Sequence, residues 1–354
     1  MTESPAARPG TRDYLCVDAF IGTLVDARAL KSAFELRVID YLRDRSPMRP
    51  SELEKALRLD AAGLRLLLGL LLANRVLEQD GDAVGLSPRF LEALRYRDLL
   101  EAKIDLADHV VPDLIDLFTA SINDPDRFMR SARIFKLFDY GRSVDRTPEN
   151  REHAMRWMRF TTILTRYEAR ACLRHHHFGR YARMLDIGGN SGEFALQICR
   201  EHPSLRATVI DLPVVCAIGR EHVGPQPEAG RIEFVGGDAL EGALPGDYDL
   251  VTFKSMLHDW PEPETARLIG NAARSLRPGG TILIFERGPI DPGEGTSSYA
   301  MIPMLLFFRS FRSPTVYGEQ LSKAGFVDIN IRRIDLEMPF SLVTATKGRD
   351  GGGS

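Results

Sequence analysis

His258 is the side chain of this 354-residue sequence best suited to moving a proton near neutral pH. It stands in the run Lys254-Ser255-Met256-Leu257-His258-Asp259-Trp260-Pro261, directly after a strand-like apolar segment, residues 250–253. Imidazole titrates close to neutrality, so it can take the proton of a phenol or catechol. A lone histidine is more often structural, but this one begins a loop with Asp259 and Trp260 at a strand end, where catalytic groups collect. Glu286 closes the next apolar segment, 282–285, and could fix the imidazole's tautomer and stabilise its charged form. A plain ion pair with Arg287 is its bland alternative. Asp211 closes the segment 207–210 and could accept the two ribose hydroxyls of an adenosyl group; helix capping is the other role open to it. In Gly236-Gly237-Asp238-Ala239, Asp238 could take an adenine amino group with Ala239 against the ring, although Gly-Asp is also ordinary turn chemistry. Lys254 is placed to hold a ligand carboxylate.

These residues need a scaffold that brings strand ends together. The run Met184-Leu-Asp-Ile-Gly-Gly-Asn-Ser-Gly-Glu193 reads as a buried strand turning through small residues into a helix. A dinucleotide fingerprint would need glycine where Asn190 and Glu193 stand, and the glutamate charge would repel a pyrophosphate. Asn190 tolerates a left-handed backbone better than other non-glycine residues. From Arg183 onward, strand-like segments at 184–187, 207–210, 232–235, 250–253 and 282–285 alternate with helical ones, and 327–334 with 340–346 reads as a terminal antiparallel pair. That pattern predicts a doubly wound α/β domain with its ligand at the carboxyl ends of the strands.

Before residue 178 the pattern is almost wholly helical. One amphipathic helix is expected over 18–42, then helices over 50–57 and 61–74 and a hairpin over 76–86 with Asp80-Gly81-Asp82 at its tip. Helix, turn, helix and hairpin read as a winged helix. The second helix, however, is a leucine surface with a single arginine, unlike a DNA-reading helix, so core or dimer packing is expected of it. Long helices follow over 99–121 and 149–173. Met158, in a stripe with Met155, Phe160 and Ile163, could line a substrate pocket or simply be core. The expected organisation is a tail over 1–12, a dimerisation domain over 13–100, a helical linker over 101–178, the α/β domain over 179–347 and a tail over 348–354.

The net charge of −3 gives no electrostatic footprint for nucleic acid. Cys16, Cys172, Cys199 and Cys216 lack ligand spacing and read as thiols of a reducing cytoplasm. The polar, proline-containing start lacks a signal-peptide core, and no apolar run would span a bilayer. No histidine follows His258 to complete a metal site with it and Asp259, so no metal is expected.

Together these residues resemble the S-adenosylmethionine-dependent small-molecule O-methyltransferases of the caffeate and hydroxyindole class, which includes bacterial tailoring enzymes. The glycine turn is similar to motif I of such enzymes, and the block from Phe253 to Trp260 is the most specific match. Arg277-Pro278-Gly279-Gly280 and Lys323-Ala324-Gly325-Phe326 also fit. The resemblance implies a Rossmann-like class I methyltransferase domain behind a helical dimerisation domain, a homodimer, and a small phenolic substrate of secondary metabolism. It implies cofactor contacts from Gly188, Asp211, Asp238, Ala239 and Lys254, with His258 as base and Glu286 as one of two supporting acids.

The segment from Phe308 to Thr315 departs from the family pattern, which usually supplies the second acid there. It offers Arg309 and Arg312 instead. Guanidinium pairs bidentately with carboxylate or phosphate, so these two, with Asp259, are expected to contact an acidic aromatic substrate, while solvent-facing arginines are the competing reading. Methylation of the ring carbon ortho to a phenol stays open, because the same base would generate the same phenolate. A family member that decarboxylates, hydroxylates or cyclises is a further alternative.

Overall fold

The computed structural model describes residues 24–289 and 310–348, together with Tyr14, Cys16, Val17 and Phe307. Two compact units divide the chain: residues 1–134 with 295–303, and residues 135–294 with 304–354. The expected linker over 101–178 is therefore not a separate piece. Its first part, helix α6 (Arg97–Asn123), packs on α1 (Leu24–Glu35), while its later helix packs in the second unit. Arg309 lies outside the described residues.

In the first unit the single helix expected over 18–42 is broken. Helix α1 stops at Glu35, Arg37 takes a left-handed φ of 61°, and α2 (Val38–Arg45) starts in a new direction. No glycine or proline marks this break. The apolar spacing runs through it because both helices bury their inner faces, with Leu30, Ala33, Val38, Ile39 and Leu42 inaccessible to water. Helix α3 (Pro50–Leu57) leads to α4 (Ala61–Ala73), which is capped by the Asp60 carboxylate accepting the Gly63 N–H at 2.7 Å. Strands β1 (Leu77–Asp80) and β2 (Ala83–Leu86) form the hairpin in antiparallel register. Leu64, Leu67, Leu68 and Leu71 of α4 are buried, as expected of a packing helix, but Leu66 is exposed. The unit continues through α5 (Pro88–Ala93), α6 and α7 (Pro125–Ser131), and a short helix, α8 (Arg133–Leu137), straddles the boundary.

The second unit is a seven-stranded sheet in the order β5-β4-β3-β6-β7-β9-β8. Its strands are β3 (Arg183–Ile187), β4 (Arg206–Asp211), β5 (Ile232–Gly236), β6 (Tyr248–Lys254), β7 (Leu276–Arg287), β8 (Phe326–Asp335) and β9 (Pro339–Lys347). The first five are parallel, and β8 and β9 complete the edge antiparallel, as the alternation of segments predicts. The order reverses between β3 and β6, so a crevice opens at their carboxyl ends. Helices α10 (Glu193–Glu201), α11 (Pro213–Val223), α12 (Glu262–Ser275) and α13 (Pro314–Lys323) belong to this unit, as does the 28-residue α9 (Pro148–His175).

Helix α9 reaches the glycine turn through its threonines. Asn190 Nδ2 donates to Thr161 Oγ1 at 3.1 Å, and Thr162 Oγ1 donates to Ser191 Oγ at 2.8 Å. Asn190 has the left-handed φ of 56° anticipated for it. Glu193 opens α10 as a buried carboxylate held by Arg166 at 3.0 Å and His222 at 2.6 Å. Beneath the turn, Asp186 is inaccessible and accepts Thr252 Oγ1 at 2.6 Å; burial raises its pKa to about 7.

A side chain at Gly189 has nowhere to go: its Cβ would stand 2.6 Å from Asp186 Oδ2 and 2.8 Å from Val209 Cγ1. Gly189→Ala is expected to destabilise the second unit by about 1–3 kcal/mol, the usual cost of overpacking. The urea midpoint measures it, and an unchanged midpoint contradicts this account of the turn.

Candidate active site

Glu286, the penultimate residue of β7, lies beside the end of the central strand β6 and is inaccessible to water. One of its oxygens, Oε1, accepts the backbone N–H groups of Met256 and Leu257, each at 2.7 Å. The other, Oε2, accepts from His258 Nδ1 at 2.7 Å. The pairing expected between these two residues is thus formed, and with Nδ1 donating, Nε2 is left as the basic nitrogen. That nitrogen lies 3.4 Å from Asp259 Oδ1, and the Tyr140 hydroxyl donates to Asp259 Oδ2 at 3.1 Å. A continuous chain of carboxylate, imidazole, carboxylate and phenol results.

Electrostatics follow from this order. Burial pulls the His258 pKa down, but the carboxylates of Asp259 and Glu286 outweigh it and raise the imidazole above its ordinary value. Burial works to raise Glu286, yet His258 and the two backbone donors hold it below the usual carboxylate range. Asp259 is raised, chiefly by burial. Tyr140 is raised well above a free phenol by burial and by the neighbouring Asp259 charge, so it stays a donor.

A cavity of about 230 Å³ opens at the strand ends. Gly188, Asp211, Asp238 and Ala239 line one part of it, and Tyr140, Trp157, Met256, Asp259 and Trp260 another. Gly188 has φ of 66°, and a Cβ there would meet Met256 Cγ at 2.4 Å, so only glycine leaves this wall open. Asp211 accepts the Asn190 and Leu212 N–H groups, each at 2.8 Å, and burial raises its pKa to about 6. It therefore holds the glycine turn and still faces the cavity. Asp238 accepts the Leu240 N–H at 2.8 Å, the turn role, while also lining the cavity. Two carboxylates at successive strand ends with small residues beside them fit an adenosyl group: acceptors for hydroxyls and an amine, and open space for the rings.

Three expected contacts are placed elsewhere. Lys254 is not among the residues lining this cavity; its ammonium donates to Thr165 Oγ1 at 2.9 Å and to Glu168, which also holds Arg287. Burial depresses the lysine's pKa against the pull of Glu168. Arg312 does not face the cavity either. Its guanidinium donates to the Leu257 carbonyl at 2.9 Å and to the Trp260 carbonyl, so two backbone acceptors of the His258 loop have claimed it. Met158 is core, 2% exposed. Among the described residues no group of three His, Cys, Asp or Glu side chains is placed to hold a metal ion.

Sequence reasoning missed Tyr140, Trp157 and Glu168. Glu168 left a signal, since it falls four residues after buried Leu164 and three before buried Ala171 on the apolar face of α9. Trp157 lies in that same stripe. Tyr140 left none, because its partner is 119 residues away and its surroundings are irregular.

Comparisons with known proteins agree with this architecture. Residues 120–327 match the family model described as an O-methyltransferase domain, and residues 19–103 match an O-methyltransferase dimerisation domain. The chain is 35% identical over 122 residues to 3-hydroxy-5-methyl-1-naphthoate 3-O-methyltransferase of Streptomyces sahachiroi, covering 34% of this chain and 35% of that one. It is 27% identical to the N,N-dimethyltransferase OxyT of Streptomyces rimosus over 91% of this chain and 93% of the relative. For the first three relatives the match spans only 35%, 42% and 44% of their length. Among solved structures, the mitomycin 7-O-methyltransferase MmcR superposes with a TM-score of 0.70 at 23% identity, over 91% of this chain and 94% of that one. Human N-acetylserotonin methyltransferase, solved with S-adenosylmethionine, gives 0.67 at 20% identity over 98% and 100%. At such identities these structures establish the fold.

The Lys254–Glu168–Arg287 cluster generates a stability test. Removing the carboxylate that both buried cations bind leaves their charge under-compensated, and breaking a buried pair typically costs about 3–5 kcal/mol. Glu168→Gln is expected to lower the unfolding free energy by that order, read from denaturant titration; a loss below about 1 kcal/mol would show that the cluster is solvated.

Proposed function

This chain belongs to the O-methyltransferase family, and on that footing we propose that it methylates an oxygen of a small phenolic metabolite, with S-adenosylmethionine as the methyl donor. The observation that carries the reading is the buried Glu286–His258 pair, whose loop neighbours Met256 and Asp259 line the same cavity as Asp211 and Asp238. S-adenosylmethionine supplies an electrophilic methyl group when bound; Gly188, Asp211, Asp238 and Ala239 are the residues that would hold it. The protein's own task is to hold the acceptor hydroxyl and take its proton. Glu286 keeps Nδ1 protonated, so the acceptor O–H donates to Nε2 at the position Asp259 now approaches. Transfer of that proton leaves an imidazolium between two carboxylates and an oxyanion nucleophile. Asp259, braced by Tyr140, remains beside the reacting oxygen. Arg312 serves the reaction by holding the loop's carbonyls. Of the two arginines expected to meet an acidic group on the acceptor, Arg312 is engaged by the Leu257 and Trp260 carbonyls and Arg309 lies outside the described residues. The names of the relatives support a place in natural-product tailoring.

For quaternary structure we propose a homodimer formed by the first unit. Val25, Leu36 and Leu66 are exposed on an apolar groove within the matched dimerisation domain. A cytoplasmic location is consistent with four free cysteines. Among the described residues no helix is long and apolar enough to cross a membrane.

Incubation with labelled S-adenosylmethionine and a panel of hydroxyarenes, followed by mass spectrometry and NMR, tests the activity. Label on oxygen is expected; label on a ring carbon would replace O-methylation by the C-methyl alternative. His258→Ala is expected to lower kcat by about 10²–10⁴-fold. The raised His258 pKa sets the pH dependence. The neutral base accumulates as pH rises, so kcat/KM should climb about tenfold per unit below the folded-state pKa and level off above it, with the midpoint above 6.5. The stability contributed by the imidazolium has the opposite trend: present in full below the unfolded value, it is lost as pH rises through the folded one. A midpoint below 6.5 contradicts the two-carboxylate setting. Leu66→Glu is expected to halve the mass measured by light scattering without unfolding the chain.

A further inference from the structure

Trp157 carries a buried polar atom that neither the base nor the adenosyl-holding residues explain. The side chain lines the cavity and is 4% exposed, yet its indole Nε1–H meets no acceptor. An indole N–H can only donate, and leaving a buried donor unpaired costs about 1–3 kcal/mol. Native folds keep such atoms rarely, and an absent ligand is one of the reasons they do. Around it stand Tyr140, edge-on with ring centroids 5.4 Å apart, and Phe138 at 6.4 Å. The Tyr140 hydroxyl is committed to Asp259, which in turn approaches His258. Trp157, Tyr140, Asp259 and His258 are thus linked one to the next, and the free donor stands a single aromatic neighbour away from the base assembly.

From this placement we infer that Trp157 recognises a second, uncharged oxygen of the methyl acceptor, a carbonyl on the same ring system as the hydroxyl that His258 deprotonates. The inference rests on the O-methyltransferase reading and narrows its substrate class. Charge decides which oxygen fits. The described residues lining the cavity include Asp211, Asp238 and Asp259 but no lysine or arginine, and Arg312 is spent on the Leu257 and Trp260 carbonyls. A ligand carboxylate would be desolvated there beside three aspartates, with no lysine or arginine among the described lining residues to pair with it. A ketone or quinone carbonyl incurs no such penalty and accepts the hydrogen bond that the indole lacks. Trp157 is then a specificity-determining residue, and the acceptor is a hydroxyarene bearing a carbonyl.

The test uses three ligands on one ring, a naphthol, its acetyl derivative and its carboxylate derivative, titrated calorimetrically into protein saturated with S-adenosylhomocysteine. Trp157→Phe keeps the ring and deletes the donor. Wild type should bind the acetyl compound about tenfold more tightly than the bare naphthol, the worth of one such hydrogen bond, and more tightly than the carboxylate. Trp157→Phe should abolish that preference while leaving naphthol affinity within about twofold. Absence of any preference or of any binding in wild type overturns the inference. So does tightest binding of the carboxylate, a preference that survives in Trp157→Phe, or an equal loss for all three ligands. A preference that depends on Trp157, with no label delivered to any oxygen when the same ligands are incubated with labelled S-adenosylmethionine, would leave the inference standing and overturn the O-methyl reading.

Discussion

The carboxylate of Glu286 is the constraint around which the site is organised. It sits at the end of a central strand with no access to water and gathers three donors from three consecutive residues. A buried charge is tolerable only when so paired, and this pairing dictates the path of the chain out of β6. Met256 and Leu257 must turn their N–H groups inward, which puts His258 beside the same carboxylate and swings Asp259 and Trp260 to the cavity wall. Ser255, with φ of 49°, absorbs the turn, and its left-handed backbone is the local strain this arrangement requires. Arg312 completes the loop from the other side by binding the carbonyls that the turn leaves exposed.

The same logic explains which placements of charge are legible in the sequence and which are not. Glu286 and His258 were legible because each closes or follows an apolar segment, and parallel strands in this order place their ends side by side. Asp211 and Asp238 were legible for the same reason, and the cavity they line joins them to the glycine turn. The partners of Lys254 and Arg312 are not legible, because sequence offers no measure of competition. A lysine near a ligand carboxylate and a lysine near Glu168 look alike until α9 is seen to carry a glutamate on its buried face. An arginine near a pocket likewise looks free until two carbonyls claim it.

Of the fold, the α/β half was readable nearly strand by strand, since burial of a parallel sheet leaves continuous apolar runs. The helical half was readable as helices but not as their partition. The break at Arg37 has no turn residue to announce it, and the long helices α6 and α9 carry similar apolar stripes although they pack in different units. Amphipathic spacing says that a face is covered, not what covers it. Tyr140 marks the limit of that kind of reading, because its meaning depends entirely on a partner far along the chain.

Glu286 divides its two oxygens unequally, Oε1 to two backbone amides and Oε2 to the imidazole, and this makes the loop a built-in spectrometer. When His258 gains or loses its charge, electron density shifts across the carboxylate, and the Met256 and Leu257 amide protons bound to the opposite oxygen sense the change. Their nitrogen and proton resonances therefore report the ionisation of a ring they never touch.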